Sequence, residues 1–470
     1  MNREAGKFFP VSDASVRAGG TFVSYKNSDP DIVSISIDSR TVSSGGLFIA
    51  LNGEITDGHK YISSAFESGA SAAMISSKYY AKHYNNVSFF NGCLIVVEDT
   101  LSGFHKLAAS WVADFGKLTR VAVTGSNGKS TTKEMIGSIL AEDGSTVINK
   151  GNLNSETGLP LSVMGIKKEH KYGVFEMGIN HPGEMKALVS VFSPQFALVT
   201  NIGTAHIGPM GSQEAIAAEK SEIFSLFDKD NTGFIPDNDS WADYMETHCP
   251  GKTIRYGLNS TEGVEKAFNL GLKGWNIQYK NLEINLKLVG QHNLNNAIAS
   301  ISLSSALGII PDKIKKGLEK IEPLKGRSQI IEGLYTIIED SYNANADSMK
   351  EIFQFISDLE WDGRVALVLG SMKELGDESV QMHRLVGTMA AELNPDVIFL
   401  FGLEMRDAYF AIQESDYSGQ VVHILDYQKL ENLVLDSLIE GDLVLLKGSR
   451  TMELNRLADE ISKLMGVLGV

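Results

Sequence analysis

At 470 residues, 43% hydrophobic and 21% charged, the chain has the composition of ordinary globular protein and a length that suits about three domains. A net charge of −16 excludes a nucleic-acid partner held by bulk attraction, so anionic ligands must be gripped by local devices. Cys93 and Cys249 are too few for a disulfide framework or a thiolate metal cluster, and no stretch reaches the roughly 20 apolar residues of a membrane span.

Residues 1–30 contain no apolar segment of signal-peptide length, which points to a soluble, reduced, cytoplasmic chain with no membrane partner. Residues 1–99 read as a small α/β domain. The apolar–polar alternation over 31–38 predicts a half-buried strand, 47–51 a second strand and 61–69 a helix. Further strands are expected at 72–75 and 94–97. Asp38, Ser39 and Arg40 follow the first strand, and Asp57, Gly58 and His59 follow the second. On composition these are strand-end turns with a solvated arginine.

Residues 100–323 read as the central domain. Leu101, Phe104, Ala108, Trp111 and Phe115 fall at helical spacing behind an Asp99–Thr100 cap. The run 120–124, β-branched at Val121, Val123 and Thr124, predicts a strand. Gly125, Asn127 and Gly128 then make a tight turn, and Lys129, Ser130 and Thr131 open a helix. A strand passing through a Gly-rich turn into a helix N-terminus offers backbone N–H groups and a positive dipole end to an anion. Lys129 can reach the terminal phosphates of a nucleotide, and the Ser130 hydroxyl can bind its Mg²⁺. The motif is the shortened T-G-x-x-G-K-S, since Val123 stands where the full phosphate-loop pattern has its first glycine.

A strand at 145–149 precedes a turn-rich segment containing Asn152, Asn154 and Gly158, and buried strands are expected at 172–178 and 196–201. Strands alternating with helices argue for a mostly parallel sheet, whose ligands collect at the carboxyl ends of the strands. Glu176 closes one such strand, and is either a paired strand-end carboxylate or a metal ligand beside the loop. His206 follows another strand end, with the same two readings. In the helix expected over 212–227, Lys220 lies in the apolar stripe with Ile216, Ile223 and Phe227. Such a lysine either snorkels to water or stays buried, where the neutral amine could react with CO₂ to give a carbamate, a new oxygen ligand for a cation. Residues 229–290 read as strands and turns. Asn293 and Asn296 open a helix that runs to Leu307, either capping it or facing a base edge.

Residues 324–470 read as a third domain that begins at a turn with Gly326 and Arg327. A hairpin is expected from 328–332 and 335–340. Strands at 364–370, 396–402, 420–425 and 442–447 alternate with helices starting near Asp377, Glu404, Tyr427 and Ser449. This is Rossmann-like, but it lacks G-x-G-x-x-G and so implies no dinucleotide. Asp340, Tyr342 and Asn345 lie at a strand end that runs towards a capping box expected from Ser348 to Glu351. Lys447, Gly448, Ser449 and Arg450 form a strand-to-helix turn with two cations, suited to an anion. The fold class expected is therefore α/β in three domains: a small N-terminal α/β domain, a central P-loop domain with a mostly parallel sheet, and a C-terminal Rossmann-like domain.

From Asp38 to Arg450 these segments resemble the Mur ligase family. The shared parts are D-S-R with D-G-H, T-G-S-N-G-K-S, G-N-L-N, F-E-M-G-I-N-H, H-I-G-P-M-G-S with A-E-K-S-E-I-F, G-Q-H-N-L-N-N, D-S-Y-N-A-N, G-S-M-K-E-L-G and K-G-S-R. The D-S-Y-N-A-N and M-x-E-L-G segments resemble its dipeptide-adding branch, and the D-N-P-R of the diamino-acid branch is absent from the third domain.

The resemblance implies an ATP-dependent amide ligase of cytoplasmic peptidoglycan precursor synthesis, expected as a monomer. Its substrates would be UDP-N-acetylmuramoyl-tripeptide and D-alanyl-D-alanine. It implies that Thr124, Gly125, Asn127, Gly128 and Thr131 cradle the nucleotide while Lys129 holds the β,γ-phosphates. Ser130 with Glu176 would bind one Mg²⁺, and His206 with a carbamylated Lys220 would serve a second. Asn293 and Asn296 would flank adenine, with Arg327 and Asp340 also on the nucleotide. Ser39, Arg40 and His59 would lie at the UDP moiety, Asn152 and Asn154 near the peptide, and Tyr342 and Asn345 at the dipeptide. Two departures stand out: Ser130 replaces the more usual threonine, and Ser371 stands where the family has aspartate. The competing readings are a folylpolyglutamate synthetase-like ligase, which needs no UDP-binding first domain, and a non-ligating precursor-binding relative that depends on a partner subunit.

Overall fold

The computed structural model describes residues 8–24, 27–53, 56–87 and 92–466. Residues 1–7 of the first expected domain lie outside them. By compactness the chain divides into two units, one formed by Met1–Val121, Val147–Gly178 and Glu184–Gln195, the other by Ala122–Thr146, Ile179–Gly183 and Phe196–Val470. The α/β class expected from the sequence holds in both.

The first unit carries a five-stranded sheet in the order Thr21–Ser24, Cys93–Val97, Ala72–Ser76, Leu47–Ile49, Ile35–Ser36. Only the Thr21–Ser24 edge runs antiparallel. Phe48, Ala73, Ile75 and Leu94 bury one face against Ile62 and Ala65 of the helix Ile62–Glu67. The helix Thr100–Ala113 starts where expected, with Asp99 accepting from the Ser102 N–H at 2.7 Å. It buries Phe104, Leu107, Ala108 and Trp111. The strand expected over 31–38 shrinks to Ile35–Ser36. Beyond it, Ser36 Oγ accepts from the Asp38 N–H and the Asp38 carboxylate from the Arg40 N–H, so local turn bonds displace the ladder. The sequence reading missed the helices Val11–Arg17 and Ser77–Val87 and the strand Thr21–Ser24. The strands Thr146–Ile148 and Tyr172–Glu176, expected at 145–149 and 172–178, are neighbours in their sheet.

In the second unit the strands Lys252–Tyr256, Thr232–Pro236 and Phe196–Val199 run parallel, followed in sheet order by Thr119–Thr124. The helix Lys129–Ala141 packs against Gln291–Ala306 and Pro311–Glu319. The helix expected over 212–227 is Gln213–Ser221, capped by Ser212, and continues as a 3-10 turn Glu222–Phe224. The stretch 229–290, read as strands and turns, also holds the helix Ala242–Thr247.

The C-terminal sheet runs Gln329–Glu332, Thr336–Asp340, Leu443–Lys447, Val365–Gly370, Val397–Phe401, Gln420–Ile424. All its pairs are parallel except the expected hairpin at the edge. Because strand side chains alternate, Leu367, Leu369, Ile398, Leu400 and Leu445 build one core with Met349, Ile352 and Val386. Ala366, Val368, Phe399, Val444 and Leu446 build the other with Leu430, Leu457 and Ile461. Helices on both faces explain why these strands read as continuous apolar runs. The capping box is real but sits three residues earlier than expected. Asn345 caps Ala346–Asp358 and Ser348 is its third residue, bonded reciprocally at 2.8 and 3.1 Å.

Candidate active site

The phosphate-loop strand is buried at Val121, Ala122 and Val123 and delivers the chain into a turn that only glycine can make. Gly125 has φ +145° and Gly128 φ +78°, and a Cβ on Gly128 would lie 2.4 Å from Asn296 Oδ1. Residues just past the neighbouring strand clamp the loop. Ser126 N donates to Asn201 O at 3.0 Å, Asn127 N to Asn201 Oδ1 at 3.0 Å, and Thr200 Oγ1 to the Asn127 carbonyl. Gly203 N donates to Ser126 Oγ at 2.8 Å. The helix beginning at Lys129 thus presents its first-turn N–H groups from a fixed position. Thr124, Ser130 and Thr131 are buried around it.

Lys129 Nζ donates to the carbonyls of Gly125 at 2.9 Å and Ser126 at 3.1 Å. Lys220, only 1% exposed, reaches the same Gly125 carbonyl at 2.9 Å. It therefore does not snorkel to water; the helix directs its stem inward to the loop. His206 adopts a left-handed backbone, φ +63°, uncommon for a residue with a side chain and often found at functional positions. Its Nδ1 lies 2.8 Å from Glu374 Oε2, and this hydrogen bond holds the Glu374 carboxyl below its ordinary range. The loops carrying these two residues meet through backbone. Gly208 N donates to Glu374 O at 3.3 Å, a Cβ on Gly208 would lie 2.6 Å from Gly376 N, and one on Gly376 2.9 Å from Gly208 Cα. Asp347 Oδ2 accepts from Thr204 N at 2.7 Å and Thr204 Oγ1 at 2.8 Å.

Arg327 Nη2 donates to Ser130 Oγ at 3.1 Å while its guanidinium lies 4.2 Å over the Tyr342 ring. Asn345 Nδ2 donates to Asn127 Oδ1 at 2.9 Å. Asp340 accepts from Ser328 N at 3.0 Å and ion-pairs with Lys447, which is 1% exposed. Asn293 and Asn296 are buried, and neither caps its helix. Asn293 Nδ2 donates to Val289 O at 2.8 Å, and Asn296 Nδ2 to Asn293 Oδ1 at 3.3 Å. The second unit thus brings together Lys129, Ser130, Lys220, Asn296, Arg327 and Asn345 around one loop.

The remaining residues belong to the first unit. Glu176 is 2% exposed, and its carboxylate accepts from Asn154 Nδ2 at 2.6 Å. Asn149 brackets the Glu176 backbone at 2.9 and 3.1 Å. Asn152 is exposed, and its carbonyl accepts from Asn154 N at 2.8 Å. Ser39 is buried, whereas the Arg40 side chain is 85% exposed and paired with Asp38 at 2.7 Å. The hydrogen bond from Arg40 lowers the Asp38 carboxyl to about 2. His59 has both nitrogens engaged: Nδ1 with Asp57 Oδ1 at 2.6 Å, and Nε2 accepting from Ser76 N at 3.0 Å. Its ring stacks on Tyr79 at 4.6 Å. That pattern fixes the Nδ1–H tautomer and makes His59 a brace for its turn.

Sequence reasoning missed Asp347 and Glu374 as site residues. Glu374 carried a signal inside the quoted G-S-M-K-E-L-G, Asp347 carried none, and Lys447 was read only as part of a cationic turn.

Family models match in three stretches: the Mur ligase family, catalytic domain over residues 31–100, the Mur ligase middle domain over 123–304, and the Mur ligase, glutamate ligase domain over 326–450. The UDP-N-acetylmuramoyl-tripeptide–D-alanyl-D-alanine ligase of Treponema pallidum (strain Nichols) is 36% identical over 434 residues, covering 91% of this chain and 94% of that one. Among solved structures, a crystal structure of MurF from Acinetobacter baumannii superposes with a TM-score of 0.87 at 29% identity, covering 98% of this chain and 100% of that one. MurF ligase from Thermotoga maritima in complex with ADP gives 0.78 at 26% identity, covering 92% and 98%.

Proposed function

We infer the reaction from the premise that the chain belongs to the Mur ligase family. It is an ATP-dependent ligase that joins D-alanyl-D-alanine to UDP-N-acetylmuramoyl-tripeptide in peptidoglycan synthesis, releasing ADP and phosphate. The observation that carries this reading is the phosphate loop, with Lys129 at its helix start and Arg327 on the Ser130 hydroxyl. The folylpolyglutamate and non-ligating alternatives give way to near full-length likeness to a dipeptide-adding ligase.

The substrate carboxylate attacks the γ-phosphorus of ATP, ADP leaves, and an acyl phosphate forms. The dipeptide amine then attacks the acyl carbon, and the tetrahedral intermediate collapses with loss of phosphate and the amine proton. Phosphoryl transfer needs positioning and charge neutralisation above all, which explains cations and helix N–H groups in place of a nucleophile. Lys129 binds the β,γ-phosphates, and Arg327 reaches the same end of the nucleotide from the third segment. Asn293 and Asn296 flank adenine, and Asp340 contacts the nucleotide. The acyl phosphate must be kept from water, which would hydrolyse it.

Mg²⁺ would suit an oxygen donor such as the Ser130 hydroxyl, and when bound it would neutralise the phosphate charge. His206, with Nδ1 turned to Glu374, keeps Nε2 for a second ion. A carbamate on Lys220, formed when its neutral amine adds to CO₂ and loses a proton, would supply oxygen there. Ser39, Arg40 and the turn braced by His59 receive the UDP moiety, Asn152 and Asn154 the peptide, and Tyr342 and Asn345 the dipeptide. In this reading residues 1–99 bind the UDP-sugar, 100–323 ATP, and 324–470 the dipeptide and part of the nucleotide. The enzyme works as a cytoplasmic monomer, and no helix among the described residues is long and apolar enough to cross a membrane.

The test is turnover. Purified protein with ATP, UDP-N-acetylmuramoyl-tripeptide and D-alanyl-D-alanine should release one phosphate per product of the combined mass, and absence of that product would refute the assignment. Lys220→Ala should be inactive and partly rescued by short carboxylates, whereas full activity in the variant would end the carbamate reading.

A further inference from the structure

The cationic turn at Lys447–Arg450 has a feature that the reaction above leaves unused. Gly448 presses on Gly370, where a Cβ would meet the Gly370 Cα at 2.9 Å. Ser449 ties the turn down on both sides, its N–H donating to Ser371 O at 3.2 Å and its Oγ accepting from Lys373 N at 2.9 Å. Arg450 follows at the start of the 3-10 turn Arg450–Met452, on backbone that has little freedom, with its side chain exposed.

The surrounding charges are mostly spent. Lys447 is paired with Asp340, Lys373 with Glu404, and Arg456 with Glu453. Among the described residues no carboxylate ion-pairs with Arg450. Its guanidinium carbon lies 5.7 Å from the centroid of the Tyr342 ring. The same ring carries Arg327 at 4.2 Å, and Arg327 is bonded to Ser130 of the phosphate loop. Tyr342 therefore lies between a guanidinium that touches the phosphate loop and one that is free for an anion. Beneath the turn is Ser371, fully buried and uncharged.

The incoming dipeptide has matching polarity. Its amine must reach the acyl phosphate at the loop, and its carboxylate then lies an extended dipeptide away, about 7 Å. Planar guanidinium is the side chain suited to grip a carboxylate with two parallel hydrogen bonds. We propose that Arg450 receives the terminal carboxylate of D-alanyl-D-alanine across Tyr342 and so selects a free acid as the acceptor. The proposal rests on the ligase reading above and adds the residue that recognises the far end of the dipeptide.

The test compares D-alanyl-D-alanine with its C-terminal amide in steady-state ligation by the full chain. The wild type should have at least a tenfold lower KM for the acid than for the amide. Arg450→Gln should raise the acid's KM about ten- to hundredfold, the size expected for losing a charge-assisted hydrogen-bonded pair, and should treat acid and amide alike. Its KM for ATP should stay where it was, which a general loss of structure would not allow. Arg450→Lys should restore part of the preference. An Arg450→Gln enzyme that keeps the wild-type KM for the acid, or still prefers acid to amide, overturns the proposal. Absence of any product with the wild type would instead overturn the ligase assignment on which it stands.

Discussion

Lys129 and Lys220 share the Gly125 carbonyl as acceptor, so two lysine nitrogens meet at the mouth of one loop. Lys129→Ala should lower kcat on the order of 10³-fold or more while the UDP substrate still binds, which phosphate release and calorimetry would check together. Retained ligation would remove Lys129 from the mechanism. Glu339 allows a pH test away from the phosphates. It is 3% exposed, and burial raises its carboxyl above the ordinary 4.5 despite a hydrogen bond from Ser341. A raised acid favours the folded state fully below 4.5, and that contribution is lost as pH rises through the folded value. Glu339→Gln should therefore be more stable than wild type to urea at pH 7, with the gap closing below pH 4.5. A gap that persists in acid would show that charge is not the cause. At this scale the loop residues were legible because strand, turn and helix keep them at fixed spacing. Asp347 was not, since its partner Thr204 lies 143 residues away and no local pattern announces such a pair.

The helix Ala346–Asp358 shows what sequence patterning misses by a turn. Both Asn345 and Ser348 are good capping residues, and the one that wins is the one whose amide also meets Asn127 in the phosphate loop. Asn345→Ala should cost about 1 kcal/mol from the lost cap and should also raise the KM for ATP, because the loop loses a neighbour. Thermal unfolding and kinetics measure the two separately; an unchanged KM would make the amide pair incidental. The strands of the C-terminal sheet were legible as apolar runs. Their order was not, because Leu443–Lys447, last in the chain, inserts between Thr336–Asp340 and Val365–Gly370. That insertion is what pairs Asp340 with Lys447 in register.

For the molecule as a whole, a charge of −16 must coexist with substrates that each carry a phosphate or carboxylate group. Binding therefore depends on a few placed cations, and the same net charge disfavours self-association. Light scattering should give a mass near 51.1 kDa independent of concentration, and a doubled mass at micromolar protein would refute the monomer. The α/β class and the alternation of strands and helices were readable from periodicity. The assignment of 147–178 and 184–195 to the first compact unit was not, because it reflects contacts between segments far apart in sequence.

The meeting of Gly208 with Gly376 has a practical corollary. Two bare stretches of backbone touch with no side chain between them, so nothing there can be compressed or rotated to absorb a misfit. A single methyl group would act as a shim, holding Glu374 off His206 while every residue that handles substrate stays intact. Variation at these two positions is thus penalised by geometry alone, and a small molecule wedged into that seam would part Glu374 from His206 without resembling any substrate.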